Sequence, residues 1–261
     1  MKLVKQMIQA VLGAAGYRLV RKTDRIVLTH DMEDEAFQAI YRRCAPFTMT
    51  SMERMYALYK AVEYIVNARI PGDLVECGVW RGGSCMLGAL ALMQRNDTAR
   101  RIYLYDTFAG MAEPTDMDIR WDGEPQKAIW EKKKRGESSA WCEATMEEVE
   151  RNMNATGYPR ENIVFVKGKV EETIPDVLPA HVALLRLDTD WHESTRHELR
   201  HLFPRLATGG VLILDDYGYF KGVAEATDTY FREHGVPMLL QRVDEACRLG
   251  IKIGKELEIR N

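Results

Sequence analysis

The sequence predicts an α/β protein with a doubly wound, mostly parallel sheet, a helical extension at the N-terminus and a lid inserted after the second core strand. Three observations carry this. From about residue 73 onward, short apolar runs alternate with helical patterns. The first of these runs is followed by a glycine-rich turn and then a helix, a ligand-binding arrangement in such sheets. Two later runs stop at acids, in Leu187-Asp188-Thr189-Asp190 and in Leu214-Asp215-Asp216-Tyr217. Parallel strands buried on both faces read as continuous apolar runs, so these acids are expected side by side at one crevice.

In chain order, residues 1–20 begin basic and are fairly apolar. Gln6 and Gln9 interrupt what would be a signal-peptide core, while Leu3, Val4, Met7, Ile8, Val11 and Leu12 share one helical face. An amphipathic helix that packs on the domain or on a second subunit is expected. Residues 25–30 read as a short strand or linker and residues 32–44 as a helix ended by Pro46. Thr50 with Glu53 three residues later reads as a capping box, opening a helix to about Ala68. Pro71-Gly72 breaks the chain. Core strands are expected at 73–76, 102–105 and 163–166, and helices at 85–94, 145–156 and 171–177. The acidic strands are 181–187 and 210–214, separated by a helix over 194–206. A helix over 221–234 and two closing strands, 237–242 and 248–253, complete the chain, the strands near enough to pair as a hairpin. Residues 112–140 are polar and aperiodic and are expected to form a mobile lid. The basic run 132–135 within them reads as a solvated helix face.

A chain of 261 residues fits one large α/β domain or one domain with extensions. Its net charge of −3 gives no electrostatic case for nucleic acid. No run is long enough to span a bilayer. Cys44, Cys77, Cys85, Cys142 and Cys247 are scattered, odd in number and without a C-x-x-C pair, which suits a reducing, cytoplasmic compartment and argues against a zinc site.

Three or four carboxylates in one crevice repel one another unless a cation or protons intervene. A hard divalent cation with oxygen ligands resolves this, Mg²⁺ first, with Mn²⁺ able to stand in. Singly, Asp215-Asp216 could be a turn and Asp190 a helix cap; their coincidence at two strand ends is less simply explained. The glycine turn reads Glu76-x-Gly78-x-x-x-Gly82-Gly83, and Trp80 and Arg81 break the dinucleotide fingerprint. Asp106, at the end of the next strand, is placed to accept hydrogen bonds from ribose hydroxyls. Together these point to an adenosine-containing cofactor.

Residues 71–84 (Pro-Gly-Asp-Leu-Val-Glu-Cys-Gly-Val-Trp-Arg-Gly-Gly-Ser) resemble the first motif of the macrocin O-methyltransferase (TylF/MycF/NovP) family. So do Tyr105-Asp106-Thr107-Phe108-Ala109-Gly110-Met111, residues 185–195 around Asp188-Thr189-Asp190-Trp191-His192-Glu193, and residues 209–217 ending in Asp215-Asp216-Tyr217. The similarity runs from about Phe47 to the C-terminus. It implies a Rossmann-like class I methyltransferase with a seven-stranded sheet, residues 51–261 forming the S-adenosylmethionine-dependent domain and residues 1–50 an extension with an oligomer contact. It also implies a Mg²⁺-dependent O-methyltransferase acting on a sugar hydroxyl of a natural product. A homo-oligomer, a dimer for preference, is expected from the apolar face of the N-terminal helix. Thr189 departs from the family's usual Gly, and His192 from its usual Tyr.

By the same resemblance, Asp188, Asp215 and Asp216 hold the metal and Asp190 is the general base. Asp190 could instead be a fourth ligand or a cap. His192, which abuts the site, is an alternative base, as is His197. Glu76, Gly78, Ser84 and Asp106 are the first candidates for the cofactor, with Thr107, Phe108 and Gly168 flanking the adenosine. Met49 and Thr50 lie in the segment that would close over the methionine end. Three other readings stay open: a non-sugar hydroxyl acceptor, a nucleotide-dependent oxidoreductase and a non-catalytic relative.

Overall fold

The computed structural model describes residues 30–136 and 138–254. The expected N-terminal amphipathic helix lies outside them, as does the strand or linker expected over 25–30 except for His30. The chain divides into two compact units at Gln38/Ala39. Of the first unit, the described part is a 3-10 turn (His30–Glu33) and the start of helix α1 (Glu35–Cys44), where Asp34 Oδ1 accepts the Ala36 N–H at 2.8 Å.

In the second unit, helix α2 (Met52–Asn67) leads to strand β1 (Asp73–Cys77). Ser51, not Thr50, is its cap: the Ser51 hydroxyl accepts the Arg54 N–H at 3.2 Å. Then follow α3 (Gly83–Gln94), β2 (Ile102–Asp106), α4 (Lys127–Lys133), the two-stranded hairpin β3 (Lys134–Arg135) and β4 (Ser138–Ser139), and α5 (Met146–Asn154). The remainder runs β5 (Ile163–Lys167), α6 (Val170–Thr173), β6 (Val182–Leu187), α7 (His192–Leu202), β7 (Leu206–Leu214), α8 (Lys221–His234), β8 (Gln241–Arg242) and β9 (Arg248–Ile251).

Among the described residues one seven-stranded sheet has the order β5-β2-β1-β6-β7-β9-β8. The first five strands are parallel; β9 runs antiparallel to β7, and β8 to β9, as the expected closing hairpin. This is the doubly wound sheet that the alternating pattern predicts. From β1 the chain winds outward through β2 to β5, then returns to β6 on the other side of β1. The strand order therefore reverses between β1 and β6, where open α/β sheets bind ligands.

The two sheet faces are different in kind. Val75, Cys77, Tyr105, Leu185, Leu187 and Leu214 join Leu199 and Leu202 of α7 in one buried cluster. Alternate residues point to the other face, where α3 is buried from Gly83 to Leu92. A helix apolar all round belongs inside, and Gly88 lets it approach closely: a Cβ there would lie 3.2 Å from Leu74 Cδ2.

The insert at 112–140 is more structured than its composition predicts. It carries α4 and the β3–β4 hairpin, and Asp118, Gln126 and Trp130 are buried. Trp130 Nε1 donates to the Met111 carbonyl at 2.9 Å, and Asp118 Oδ1 accepts the His192 N–H at 2.8 Å. Among the described residues no helix is long and apolar enough to cross a membrane.

Candidate active site

The glycine turn after β1 is shaped by what it touches. Gly78 has φ +80°, and a Cβ there would fall 2.1 Å from the Asp188 carbonyl oxygen. The ends of β1 and β6 thus close on each other with room only for hydrogen. Asp106 braces the turn: its carboxylate accepts the N–H groups of Val79 (2.7 Å), Trp80 (3.1 Å) and Phe108 (2.7 Å). Burial raises the Asp106 pKa, and these backbone donors act against it.

Beneath the turn, register does the rest. The β1–β6 pairing sets Glu76 opposite Arg186, both on the α3 face. Arg186 bonds Glu76, Asp188 (2.7 Å), Asp215 (2.5 Å) and the Thr50 hydroxyl (3.2 Å). Glu76 also accepts from Ser84 Oγ, and from Cys85 Sγ at 3.0 Å. A second guanidinium, Arg54, bonds Asp215 at 2.5 Å and Asp244 at 2.7 Å. Six carboxyls, those of Glu76, Asp188, Asp190, Asp215, Asp216 and Asp244, so share a site with two guanidiniums. Burial raises the pKa of Asp188, opposed by Arg186 and reinforced by Asp215 and Asp216. Burial also raises Asp216, with Asp190 adding to the rise. Asp190, hydrogen-bonded to Asp216, is pushed up to about 7 by burial and by the charges of Asp188 and Asp215. The predicted repulsion is thus met in part by arginines, and an excess of acid remains.

Two clefts open on this cluster. One, of about 720 Å³, includes Gly78, Asp106, Thr107, Gly168 and Ser194 in its wall. The other, of about 1040 Å³, is walled by Thr50, Ser84 and Arg54, by the acids Asp215 and Asp216, and by the aromatic rings of Trp141, Tyr219 and Phe220. Met49, Trp80, Cys142, Asp188 and Asp190 line both. Asp188 and Asp190 therefore stand at the junction of two compartments, with Asp215 and Asp216 on the side of the larger.

Several expected site residues are placed otherwise. Glu76 lines neither cleft; its carboxylate is spent on Ser84, Cys85 and Arg186 under the floor. Phe108 turns its ring into the core against Phe165, centroids 6.3 Å apart, because its φ of +50° puts the N–H, not the ring, toward Asp106. His192 begins α7 with its ring between Glu193 (3.1 Å) and Glu225, and lines neither cleft, so it is not positioned as a base. His197 Nε2 donates to the Ile174 carbonyl at 2.8 Å. Conversely, the sequence reading assigned no role to Arg186, Arg54, Trp141 or Cys142. Arg186 had a signal: a cation inside the otherwise apolar strand Val182–Leu187 must have buried partners.

Whether a cation fits can be judged from the donors. Asp188, Asp215 and Asp216 each offer a carboxylate oxygen, all within 4.8 Å of one another. Hard oxygen donors, an acid excess and an open cleft beside them suit Mg²⁺ or Mn²⁺. Both Asp215 oxygens already accept from guanidiniums, yet each keeps a lone pair.

Similar folds occur in solved structures. That of the O-methyltransferase NovP superposes with a TM-score of 0.70 at 28% identity, over 80% of this chain and 83% of that one. CalS11, a calicheamicin methyltransferase, matches with a TM-score of 0.57 at 17% identity, over 91% and 99%. With a cleft at the strand-order reversal and a glycine turn in its wall, the fold defines a class I S-adenosylmethionine-dependent methyltransferase. The sequence narrows the class. The model of the Macrocin-O-methyltransferase (TylF) family matches residues 17–249, and the chain belongs to that family of O-methyltransferases. It is 32% identical to the 8-demethyl-8-(2,3-dimethoxy-alpha-L-rhamnosyl)-tetracenomycin-C 4'-O-methyltransferase of Streptomyces olivaceus, covering 76% of this chain and 72% of the relative. It is 30% identical to the mycinamicin III 3''-O-methyltransferase of Micromonospora griseorubida, covering 76% and 75%. Membership sets aside the oxidoreductase and non-catalytic readings.

Proposed function

We propose that this methyltransferase acts on a hydroxyl of a sugar carried by a natural product, with a divalent cation held by Asp188, Asp215 and Asp216 and with Asp190 as general base. The observation that carries the reading is the acid cluster at the junction of the two clefts. A donor in one cleft and an acceptor in the other would meet at the wall the two share, where Asp188 and Asp190 stand. The smaller cleft, with Asp106, Thr107 and Gly168, suits the nucleoside of S-adenosylmethionine. The larger cleft combines an acidic floor with the rings of Trp141, Tyr219 and Phe220, which suits a polar sugar with an apolar carrier. The two relatives above are named for methylating glycosylated compounds.

A bound cation would supply Lewis acidity that lowers the pKa of a sugar hydroxyl. The chain's own residues do the rest. Asp190, hydrogen-bonded to Asp216 at the edge of the acid cluster, accepts the hydroxyl proton. Arg186 and Arg54 fix Asp215, and Arg186 also holds Asp188, so the oxygens keep their spacing. Met49 and Trp80 stand in the walls of both clefts beside Asp188 and Asp190. Alignment of this kind supplies about 7–11 kcal/mol of such a barrier. A cytoplasmic homodimer belongs to the same reading; all five cysteines are free, which suits a reducing compartment.

The test is a panel of deoxyhexosyl glycosides with S-adenosylmethionine and Mg²⁺, read by mass spectrometry. A gain of one methyl on sugars with two adjacent free hydroxyls is expected, and none where the neighbouring oxygen is missing. Methylation confined to non-sugar hydroxyls, phenols for instance, would replace the acceptor in this reading.

A further inference from the structure

We infer that Glu198 is a positioning residue for methyl transfer: through its hydrogen bond to Thr189 it ties the Asp188–Asp190 turn to helix α7 and so sets where the Asp190 carboxylate stands. The inference rests on Asp190 being the base, as proposed above. Three features of the turn lead to it.

Asp190 has φ +67°, a left-handed backbone that costs a non-glycine residue energy and persists only where its surroundings impose it. The turn is tight, with the Trp191 N–H donating across Asp190 to the Thr189 carbonyl at 2.9 Å. Its two flanks are fixed differently. On the strand side, the Asp188 N–H donates to the Cys77 carbonyl at 2.8 Å, and Gly78 packs against the Asp188 carbonyl. On the helix side, Trp191 Nε1 donates to the Ala112 carbonyl at 2.9 Å. Between these flanks, besides the Asp190 carboxyl's own bond to Asp216, Thr189 Oγ1 anchors the turn to the helix by donating to Glu198 Oε1 at 3.0 Å.

Glu198 is an expensive anchor. It is 0% exposed, two turns into α7, and its Oε2 is buried without a hydrogen-bond partner of good geometry, beside the Cys77 thiol. Burial raises its pKa, which favours the neutral acid. A leucine would fill the same volume against the sheet without the cost of a buried polar group. What the acid adds is an acceptor aimed at Thr189. Helical side chains lean toward the N-terminus of their helix, which carries the Glu198 carboxyl back under the turn. Nothing else in the mechanism uses Glu198, and it touches neither cleft.

The test uses four variants of the full chain. Glu198→Leu and Thr189→Val remove the hydrogen bond at nearly constant volume; Glu198→Gln and Thr189→Ser retain it. Crystals grown with S-adenosylhomocysteine are expected to show Asp190 leaving its left-handed conformation and its contact with Asp216 in the first pair and keeping both in the second. With an acceptor from the glycoside panel, kcat is expected to fall roughly tenfold to a hundredfold in Glu198→Leu, as for a misplaced reacting group. KM for S-adenosylmethionine should stay unchanged, and Glu198→Gln should recover most of the rate. An unaltered turn in both Leu and Val variants, an unaltered kcat, or a Gln variant as impaired as Leu would overturn the inference. Should Glu198→Leu not fold, Thr189→Val carries the same structural test. If the wild type methylates no glycoside, the functional reading fails, while the crystal structures still decide the role of Glu198.

Discussion

Arg186 lies in the middle of the parallel sheet, 2% exposed, and bonds Glu76, Asp188 and Asp215 at once. Removing one partner of a buried ion network leaves uncompensated charge, at a cost of about 3–5 kcal/mol. Arg186→Met is therefore expected to lower the unfolding free energy in urea titrations by that much; an unchanged free energy would show that the three acids need no cation under them. Glu198 gives a pH signature. Its folded-state pKa is raised, so between the unfolded carboxyl range near 4 and that higher folded value the unfolded chain releases a proton that the native state keeps. The stabilising contribution is complete below the unfolded pKa and is lost as pH rises, by up to about 1.4 kcal/mol per pH unit. Glu198→Gln should thus gain stability over wild type at pH 8 relative to pH 4 in urea titrations, and parallel curves would contradict a buried neutral acid. At this scale the acids were legible in the sequence because each ends an apolar run. The partner of Arg186 was not, because Glu76 stands opposite it only once β1 and β6 are in register.

The turn after β1 was legible as an element, from glycines between a strand and a helix, though not what it accommodates. Gly78 is required by the Asp188 carbonyl, whereas a Cβ at Gly82 would meet only Val149 Cγ1 at 3.0 Å. Gly78→Ala is expected to abolish S-adenosylhomocysteine binding in calorimetry and to lower stability more than Gly82→Ala does. Equal effects would mean that backbone strain, shared by both at positive φ, is the whole cost. The Thr50-x-x-Glu53 pattern places the cap one residue early: Ser51 caps α2, and Thr50 accepts from Arg186 instead. A hydroxyl at either position satisfies the same local pattern, and only the tertiary partner separates them. The insert 112–140 was opaque for a related reason. Its order comes from a few anchors, Asp118, Gln126 and Trp130, spaced without period among polar residues.

For the whole molecule, the doubly wound sheet and the adjacency of the two acidic strands followed from the alternation of runs, whereas the order β5-β2-β1-β6-β7-β9-β8 is visible only in the structure. Assembly did not follow from it either, because the segment proposed to mediate it, residues 1–17, precedes the described residues. Deleting it is expected to change the light-scattering mass of the protein, and a truncated protein of unchanged mass and activity would count against that contact. The central claim, that the acid cluster works as one cation site between two clefts, has a more direct test. It is turnover of a glycoside with adjacent hydroxyls, measured by mass spectrometry after exhaustive chelation and again after adding Mg²⁺, for wild type and Asp216→Asn. The account predicts that chelation abolishes methylation, that Mg²⁺ restores it in the wild type alone, and that both proteins bind S-adenosylhomocysteine equally. Full turnover after chelation, or an Asp216→Asn variant restored by Mg²⁺ to the wild-type rate, would contradict it.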